Sequence, residues 1–412
     1  MGTTVFRLPL DVFVGTKLFV IGDAKLTRAI LTDKGTTKPM NMYENFNNMA
    51  NGAISLFASN GSYWHARRKA IAPAFSSQHV QRMNAIAIAN CDEWLETKLK
   101  PLAKEGKSFD AEREMIDLML STISESAFQY KMSPTEMDAF KEDLATVANY
   151  NLLKTSLGRW RMAISWLLTD RQAYGKAATR IQALCYKLIA IYKQLENPTK
   201  EPLSNSLCAT RHTTMMQNEL LTQMDSHGHT ACCCDHIGMG TDGPCSTPTA
   251  SGRLRRSIQQ DDLQPPPPHQ LESVHQTIRE SMRLHPVVAV SARSTGKDFI
   301  TKQGKLIPAG SLAVMSYFVV MRDQSIFAEE ADEFKPARWE NPTKDMTCAF
   351  MPFGAGQQNC VGQKLASVEL HCILPRIISQ FELIVDDPGR PKYVLVVSPA
   401  NCLLKAKLVA HP

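Results

Sequence analysis

The sequence FGAGQQNCVG, at residues 353–362, places Cys360 at the end of a glycine-rich loop. A helix-like run follows directly at residues 363–368. The first backbone N–H groups of a helix favour a thiolate, and glycines let backbone amides approach the sulfur because they have no Cβ atom. The loop therefore predicts a thiolate that ligates a metal from one side. Taken alone, it also fits a buried cysteine in a glycine-rich turn.

Three further motifs occur in the chain. Residues 64–68 read WHARR, residues 280–283 read ESMR, and residues 336–339 read PARW. Glu280 and Arg283 are three positions apart, so they share a helix face. A surface ion pair at this spacing would contribute only about 0.2–0.5 kcal/mol. Each motif alone is weak evidence, but the four occur together in one chain.

Together these motifs resemble those of the cytochrome P450 family, whose cysteine loop reads F-x-x-G-x-R-x-C-x-G. Phe353, Gly356, Cys360 and Gly362 match that pattern, whereas Gln358 stands where the family has arginine. The resemblance implies that Cys360 is the axial ligand of a haem b iron and that the other four residues form the haem-binding loop. Glutamine can offer a hydrogen bond to a haem propionate, but it carries no charge.

The resemblance also assigns roles outside the loop. Trp64 and Arg68 are expected to meet the haem propionates, and Arg293 stands where many relatives place another propionate contact. From the sequence alone, a surface position for Arg293 fits equally well. Glu280 and Arg283 are expected to be buried and to bind the arginine of the PARW motif. That arginine is Arg338.

Length and periodicity fit this resemblance. The 412 residues provide enough chain for one large domain, and apolar stripes predict helices through most of residues 75–195. Short strand-like runs occur at residues 5–8 and 17–21. The predicted fold is a single mainly α cytochrome P450 domain over residues 1–412, with a small β-rich subdomain. Pro375 is expected to kink or end the helix after Cys360 early.

Charge and cysteine usage limit the partners. The net charge is +6, and no run of lysine and arginine is long enough to indicate a nucleic-acid partner. The 11 cysteines are scattered in a chain with no secretory signal, which favours a reducing compartment. No apolar run is long enough to span a membrane. The resemblance implies the endoplasmic reticulum membrane, with a chain that begins after the family's anchor; a complete chain would instead be soluble and cytoplasmic.

Residues 204–269 differ in character from the sequence on either side. The segment contains three consecutive cysteines and ends near four consecutive prolines, a composition that does not sustain a long helix. In the family, this region supplies the central helix with its oxygen-activating threonine. Thr230 is the candidate here, although the usual acidic neighbour is missing. We hypothesise that a wrong exon boundary or a shifted reading frame produced the segment, which sequencing of the full transcript would test.

A metal cluster is a second interpretation of the segment. Its candidate ligands are histidines and cysteines: His227, His229, Cys232, Cys233, Cys234, His236 and Cys245. Zinc prefers these side chains, but consecutive cysteines project in different directions and fit a tetrahedron poorly. No pair of cysteines here has the C-x-x-C spacing of a zinc finger.

The resemblance implies a monooxygenase that inserts one oxygen atom of O2 into a small apolar organic substrate. Electrons are expected from NADPH through NADPH–cytochrome P450 reductase or another electron donor. Because Thr230 lacks its acidic neighbour, two alternatives stay open. One is a P450-like enzyme that rearranges peroxides without a reductase, and the other is a haem-binding P450-like protein with impaired or no turnover.

Overall fold

The computed structural model of the chain describes residues 5–8, 16–43, 56–156, 171–196, 270–393 and 397–409. Helices dominate this part of the chain. They are α1 (Ala24–Thr32), α2 (Met40–Tyr43), α3 (Gly61–Ile71), α4 (Ser77–Trp94), α5 (Lys100–Glu105), α6 (Ala111–Phe128), α7 (Pro134–Ser156), α8 (Arg171–Glu196), α9 (Gln270–Leu284), α10 (Tyr317–Val320), α11 (Gln324–Phe327), α12 (Lys344–Ala349) and α13 (Gln363–Gln380). The prediction of a mainly helical region at residues 75–195 is confirmed in the described residues, where only the strand at Ser108–Asp110 and short turns interrupt the helices.

The strands form small sheets. They are β1 (Val5–Leu8), β2 (Leu18–Ile21), β3 (Ser108–Asp110), β4 (Val290–Ser294), β5 (Phe299–Ile300), β6 (Leu306–Ile307), β7 (Leu312–Ser316), β8 (Phe381–Asp387), β9 (Arg390–Tyr393), β10 (Val397–Ala400) and β11 (Leu403–Leu408). The largest sheet has the order β1-β2-β7-β4, with β2 and β7 parallel. This sheet joins the N-terminal strands to strands that follow α9. The mainly α prediction with a small β-rich part is therefore confirmed.

Local sequence explains where several helices begin and end. The Asp23 carboxylate accepts a hydrogen bond from the Leu26 amide at 2.7 Å and caps α1. Asp110 caps α6 in the same way, through the Arg113 amide at 3.1 Å. Such caps satisfy amides that have no partner within the helix. Helix α5 ends at Gly106, whose φ of 66° is the left-handed conformation that glycine adopts readily.

One large apolar core places α9 beside α13. It combines buried side chains from α4, α6, α9, α13 and β11, among them Cys91, Met119, Ile278, Leu374 and Leu404. A second core lies between the four-stranded sheet, α1 and α12. The loop that carries Cys360 connects α12 to α13, so both cores hold its ends in place.

The expected early end of the helix after Cys360 is wrong. Helix α13 continues past Pro375 to Gln380. Proline removes one backbone hydrogen bond, but the side chains beyond it, Ile377 and Ile378, are buried in the large core. Burying two such side chains is favourable by about 3–6 kcal/mol, which is enough to offset a cost of about 3 kcal/mol for an internal proline.

Some sequence-based expectations fall outside the described residues. The segment at residues 204–269 is among them, and so are Thr230 and the histidines and cysteines of the proposed metal cluster. Of the helices in the described ranges, none combines the length and apolar character that crossing a membrane requires.

Candidate functional site

The Cys360 loop is a tight turn closed by backbone hydrogen bonds. The Cys360 amide donates to the Phe353 carbonyl at 3.0 Å, and the Asn359 amide donates to the Gly356 carbonyl at 3.3 Å. Gly356 has a φ of 76°, and a Cβ atom there would lie 2.2 Å from the Leu31 carbonyl oxygen. Glycine is therefore required at this position for two separate reasons. The turn holds Cys360, which is half-buried, directly before α13.

Two other residues of the predicted loop have structural roles. Phe353 is buried in the large core beside α13. Gly362 is the residue that immediately precedes the first turn of α13. The loop is thus attached to the core at one end and to a helix start at the other. This arrangement places the amides of a helix N-terminus close to the cysteine, as the sequence predicted.

Helix α3 contributes Arg68 to the same loop. The Arg68 guanidinium donates to the backbone oxygen of Asn359 at 2.9 Å and to its side-chain oxygen at 3.0 Å. Burial lowers the pKa of Arg68, and the nearby Cys360 acts in the opposite direction. The structure therefore brings Arg68 and Cys360 together across 292 residues of chain, as the difference between their numbers gives.

Trp64 lies on α3 one turn before Arg68 and is buried. It belongs to an apolar cluster with Phe75 and with Leu365 of α13. Val361, the residue after Cys360, packs against the same cluster. Trp64 therefore fixes α3 against the start of α13, which sets the position from which Arg68 reaches the loop.

Arg293 and Lys38 are two further cations near Arg68. Both side chains are buried, with 7% of each residue exposed. Lys38 Nζ donates to the Phe57 carbonyl at 2.7 Å, and Arg293 donates to the Ala292 carbonyl at 2.8 Å. Burial lowers the pKa of Lys38 to about 7, with smaller contributions from the charges of Arg293 and Arg68. In the part of the chain that the structure describes, these three cations form no salt bridge with a carboxylate.

Gln358 connects the loop to Lys38 through Asn60. Its Nε2 atom donates to Asn60 Oδ1 at 3.4 Å, and the same Oδ1 accepts from the Lys38 amide at 2.9 Å. The Oε1 atom of Gln358 is buried and has no hydrogen-bond partner among the described residues. An unsatisfied buried acceptor is costly and indicates a missing donor such as water or a bound group.

The structure brings Glu280, Arg283 and Arg338 together in a buried ion-pair network. Arg283 binds both oxygens of Glu280, at 2.8 and 2.9 Å. Arg338 Nε binds the same carboxylate at 3.1 Å, and the indole of Trp339 donates to it at 2.9 Å. Glu280 and Arg283 are fully buried. The network joins α9 to the PARW turn, a role in the scaffold and not in the chemistry.

Comparison with known proteins identifies the family of the chain. The family model described as cytochrome P450 matches residues 10–247 and 249–406. The chain belongs to the cytochrome P450 family. The match includes the segment at residues 204–269, except Pro248. This is the segment whose composition differs from that of the sequence on either side.

Individual P450 relatives match the chain over different lengths. Cytochrome P450 4d2 of Drosophila melanogaster is 38% identical over 134 residues, which are 32% of this chain and 26% of the relative. Probable cytochrome P450 4p3 of the same species is 23% identical over 416 residues, covering 91% of this chain and 78% of the relative. Leukotriene-B4 omega-hydroxylase 3 of Mus musculus is 34% identical over 138 residues, which are 33% of this chain and 25% of the relative. The most identical alignments thus span only about a quarter of those relatives' lengths.

The residues present fit a P450 haem. A haem b carries two propionate carboxylates. The site offers two buried cations, Lys38 and Arg293, and the half-buried Arg68, which have no carboxylate partners in the described ranges. Sequence reasoning missed Lys38 and Asn60 because a single lysine in a polar stretch carries no signal of burial. The burial of Lys38 is seen only from its tertiary contacts with Phe57 and, through Asn60, with the Cys360 loop.

Proposed function

We propose that this P450 is a haem-thiolate monooxygenase with Cys360 as the axial ligand. The observation that carries the proposal is the pairing of the Cys360 turn with a cationic group formed by the buried Lys38 and Arg293 and the half-buried Arg68. Haem b, when bound there, supplies the activation of dioxygen. The backbone amides at the start of α13 stabilise a thiolate at Cys360.

The cationic group binds and orients the propionates. Charge-assisted hydrogen bonds from guanidinium or ammonium groups to carboxylates are about twice as strong as neutral ones. Gln358, at the position of the family's arginine, is linked through Asn60 to the backbone amide of Lys38, and the Lys38 ammonium adds a positive charge to the group. The propionates in turn stabilise the charged form of Lys38, which burial alone disfavours. The loop and α3 are held in position beside this group by four residues: Trp64, Phe353, Gly356 and Gly362.

The overall reaction needs an electron donor and an organic substrate. One oxygen atom of O2 enters an apolar substrate and the other leaves as water, which consumes two electrons and two protons. We assign the electrons to NADPH through NADPH–cytochrome P450 reductase or another donor that docks at the Cys360 side, and Thr230 to proton delivery. The endoplasmic reticulum membrane is the proposed location, by analogy with the family.

The relatives' names do not define one substrate. One is named for leukotriene B4 and another for 25-hydroxyvitamin D. Both compounds are largely apolar, so they define the substrate class to screen first. A carboxylate-bearing lipid and a sterol-like compound form a minimal panel.

A second candidate function is peroxide rearrangement, favoured by the sequence around Thr230. The residues before it are Gly228 and His229, so the acid that supports proton delivery in the family is missing. Loss of a positioned proton donor costs about 10²–10⁴ in rate. Rearrangement of a peroxide needs no reductase. The third alternative, haem binding without turnover, differs from both in yielding no product.

Three reactions with the haem-loaded chain separate these functions. The first contains reductase, NADPH and the substrate panel; the second contains a lipid hydroperoxide alone; the third omits NADPH from the first. Mass spectrometry reads out the products. A product one oxygen heavier only in the first reaction supports the monooxygenase. Turnover of the hydroperoxide alone would favour the rearranging enzyme, and no product in any reaction would favour the inert protein.

A further inference from the structure

Two histidines from different helices meet at the surface between α9 and α13. His275 Nδ1 lies 3.0 Å from His371 Nε2, and the ring centroids are 5.3 Å apart. His275 is exposed and His371 is partly buried, so solvent reaches the pair. Nothing in the monooxygenase proposal uses either side chain.

The protonation of His371 follows from its second contact. His371 Nδ1 lies 2.5 Å from the backbone carbonyl oxygen of Ser367. A carbonyl oxygen only accepts hydrogen bonds, so Nδ1 carries the proton and Nε2 of the neutral ring keeps its lone pair. That lone pair points at His275. A backbone carbonyl that binds the far nitrogen is the arrangement that orients metal-binding histidines.

The spacing of the two nitrogens matches a chelating pair. Zinc–nitrogen bonds are about 2.0–2.1 Å long, so two ligands at a tetrahedral angle lie about 3.3 Å apart, and at a right angle about 2.9 Å apart. The observed 3.0 Å falls within that interval. Binding would require His275 to move its proton from Nδ1 to Nε2, which faces away from His371. That change of tautomer releases no proton. Both rings would also have to turn, because the His371 lone pair is now directed at His275 Nδ1 and the two lone pairs must converge on the ion.

We propose that His275 and His371 form a binding site for one divalent ion that prefers imidazole, namely Zn²⁺, Cu²⁺ or Ni²⁺. No group of three or more histidine, cysteine or acidic side chains suited to a metal occurs in the described ranges. Water therefore fills the remaining positions. The site is a two-ligand site, weaker than a structural zinc site of four protein ligands.

The surrounding charges are mixed. Arg279 lies one turn after His275, and its positive charge opposes a cation. Its guanidinium is stacked on Trp339 and Phe350, with its carbon 4.1 and 4.9 Å from the two ring centroids. Glu272, an acidic residue, lies one turn before His275 and is exposed.

A bound ion would link two helices of the scaffold. Helix α9 carries Glu280 and Arg283, and α13 begins directly after the Cys360 loop. An ion that binds both histidines only in the folded protein stabilises the folded state by mass action. The proposal therefore predicts a metal-dependent rise in the thermal midpoint that needs both histidines.

The test uses the full chain, its H275Q and H371A variants, and H79A as the matched control. His79 is a separate histidine on α4 whose Nδ1 contacts the Ser76 hydroxyl at 3.1 Å. Electron paramagnetic resonance with Cu²⁺–iminodiacetate reports nitrogen ligands, and calorimetry with ZnCl2 reports stoichiometry. We expect the parent and H79A to bind one more ion than H275Q and H371A, with the two-imidazole signature lost in both of those variants.

Two results would overturn the proposal. One is equal stoichiometry and an unchanged copper spectrum in all four proteins, which would assign any binding to other residues. The other is loss of binding in only one of the two histidine variants, which would exclude a chelating pair. Circular dichroism of the metal-free proteins checks folding. If H371A does not fold, the exposed H275Q variant decides the question alone.

Discussion

The guanidinium of Arg68 binds both the backbone and the side-chain oxygen of Asn359, the residue immediately before Cys360. Helix α3 therefore holds the cysteine loop directly. The same cation belongs to the group with the buried Lys38 and Arg293 that we assign to the propionates. Under this assignment, one residue connects the position of the proposed thiolate ligand to the anchoring of the cofactor.

Replacing Arg68 is expected to weaken haem binding. R68Q removes charge-assisted hydrogen bonds worth about 1.5–3 kcal/mol each, so haem affinity should fall by about 10- to 100-fold. Haem titration followed by absorbance measures the affinity. K69Q is the matched control, because Lys69 is the exposed neighbour on the same helix. Equal haem affinity in R68Q and K69Q would contradict the assigned role.

Replacing Glu280 is expected to destabilise the fold. E280Q leaves Arg283 and Arg338 without a buried counter-charge, which typically costs about 3–5 kcal/mol. Urea unfolding of the metal-free and haem-free chain measures the loss. E330Q removes the carboxylate of an exposed ion pair with Lys335 and should cost at most about 1 kcal/mol. A similar loss in both variants would show that the buried network contributes no special stability.

Lys38 is expected to give the haem-free protein a distinctive pH dependence. Its pKa is about 7 in the folded protein, against a reference value of 10.5. Between these two pH values the unfolded chain binds more protons than the folded protein does. The free energy of unfolding therefore rises as the pH increases and falls as the pH decreases toward 7. The slope from this group is about 1.4 kcal/mol per pH unit.

The K38M variant tests both effects of that buried charge. The free energy of unfolding of K38M should lack this dependence on pH. The variant should therefore exceed the parent in stability most at pH 7 and below, where the parent keeps a buried charge. It should also bind haem more weakly, because it cannot pair with a propionate. K34M, at an exposed position, is the control and should change neither property. Tighter haem binding by K38M would exclude Lys38 from the propionate site.

Gly356 is expected to be irreplaceable, and Gly304 supplies the comparison. Both have φ values near 75°, but a Cβ atom at Gly304 meets nothing within 4 Å. G304A should therefore cost only the left-handed conformation, about 1–2 kcal/mol. G356A adds the clash with the Leu31 carbonyl and should cost more, with displacement of the Cys360 loop. Thermal unfolding compares the two, and an equal cost would mean that the loop adapts to the added atom.

The sequence predicted those parts of the site that depend on local patterns. The turn at Cys360 follows from the glycine positions. The buried network around Glu280 was expected from the resemblance to the P450 family, because two charges three residues apart predict by themselves only a surface ion pair. Lys38 could not be predicted in this way, because its burial depends on the backbone near Phe57 and on the loop more than 300 residues later. The end of α13 was mispredicted because the core around Ile377 outweighs the local effect of Pro375. The contact of His275 with His371 joins residues 96 positions apart and leaves no local pattern.

The carbon monoxide difference spectrum of the dithionite-reduced, haem-loaded protein tests the central claim most directly. A thiolate ligand at Cys360 predicts a strongly red-shifted Soret band in the parent. The band should also appear in C348S, which replaces another half-buried cysteine, and should be lost in C360S. Persistence of the band in C360S, or its absence from a parent that has bound haem, would contradict Cys360 as the axial ligand.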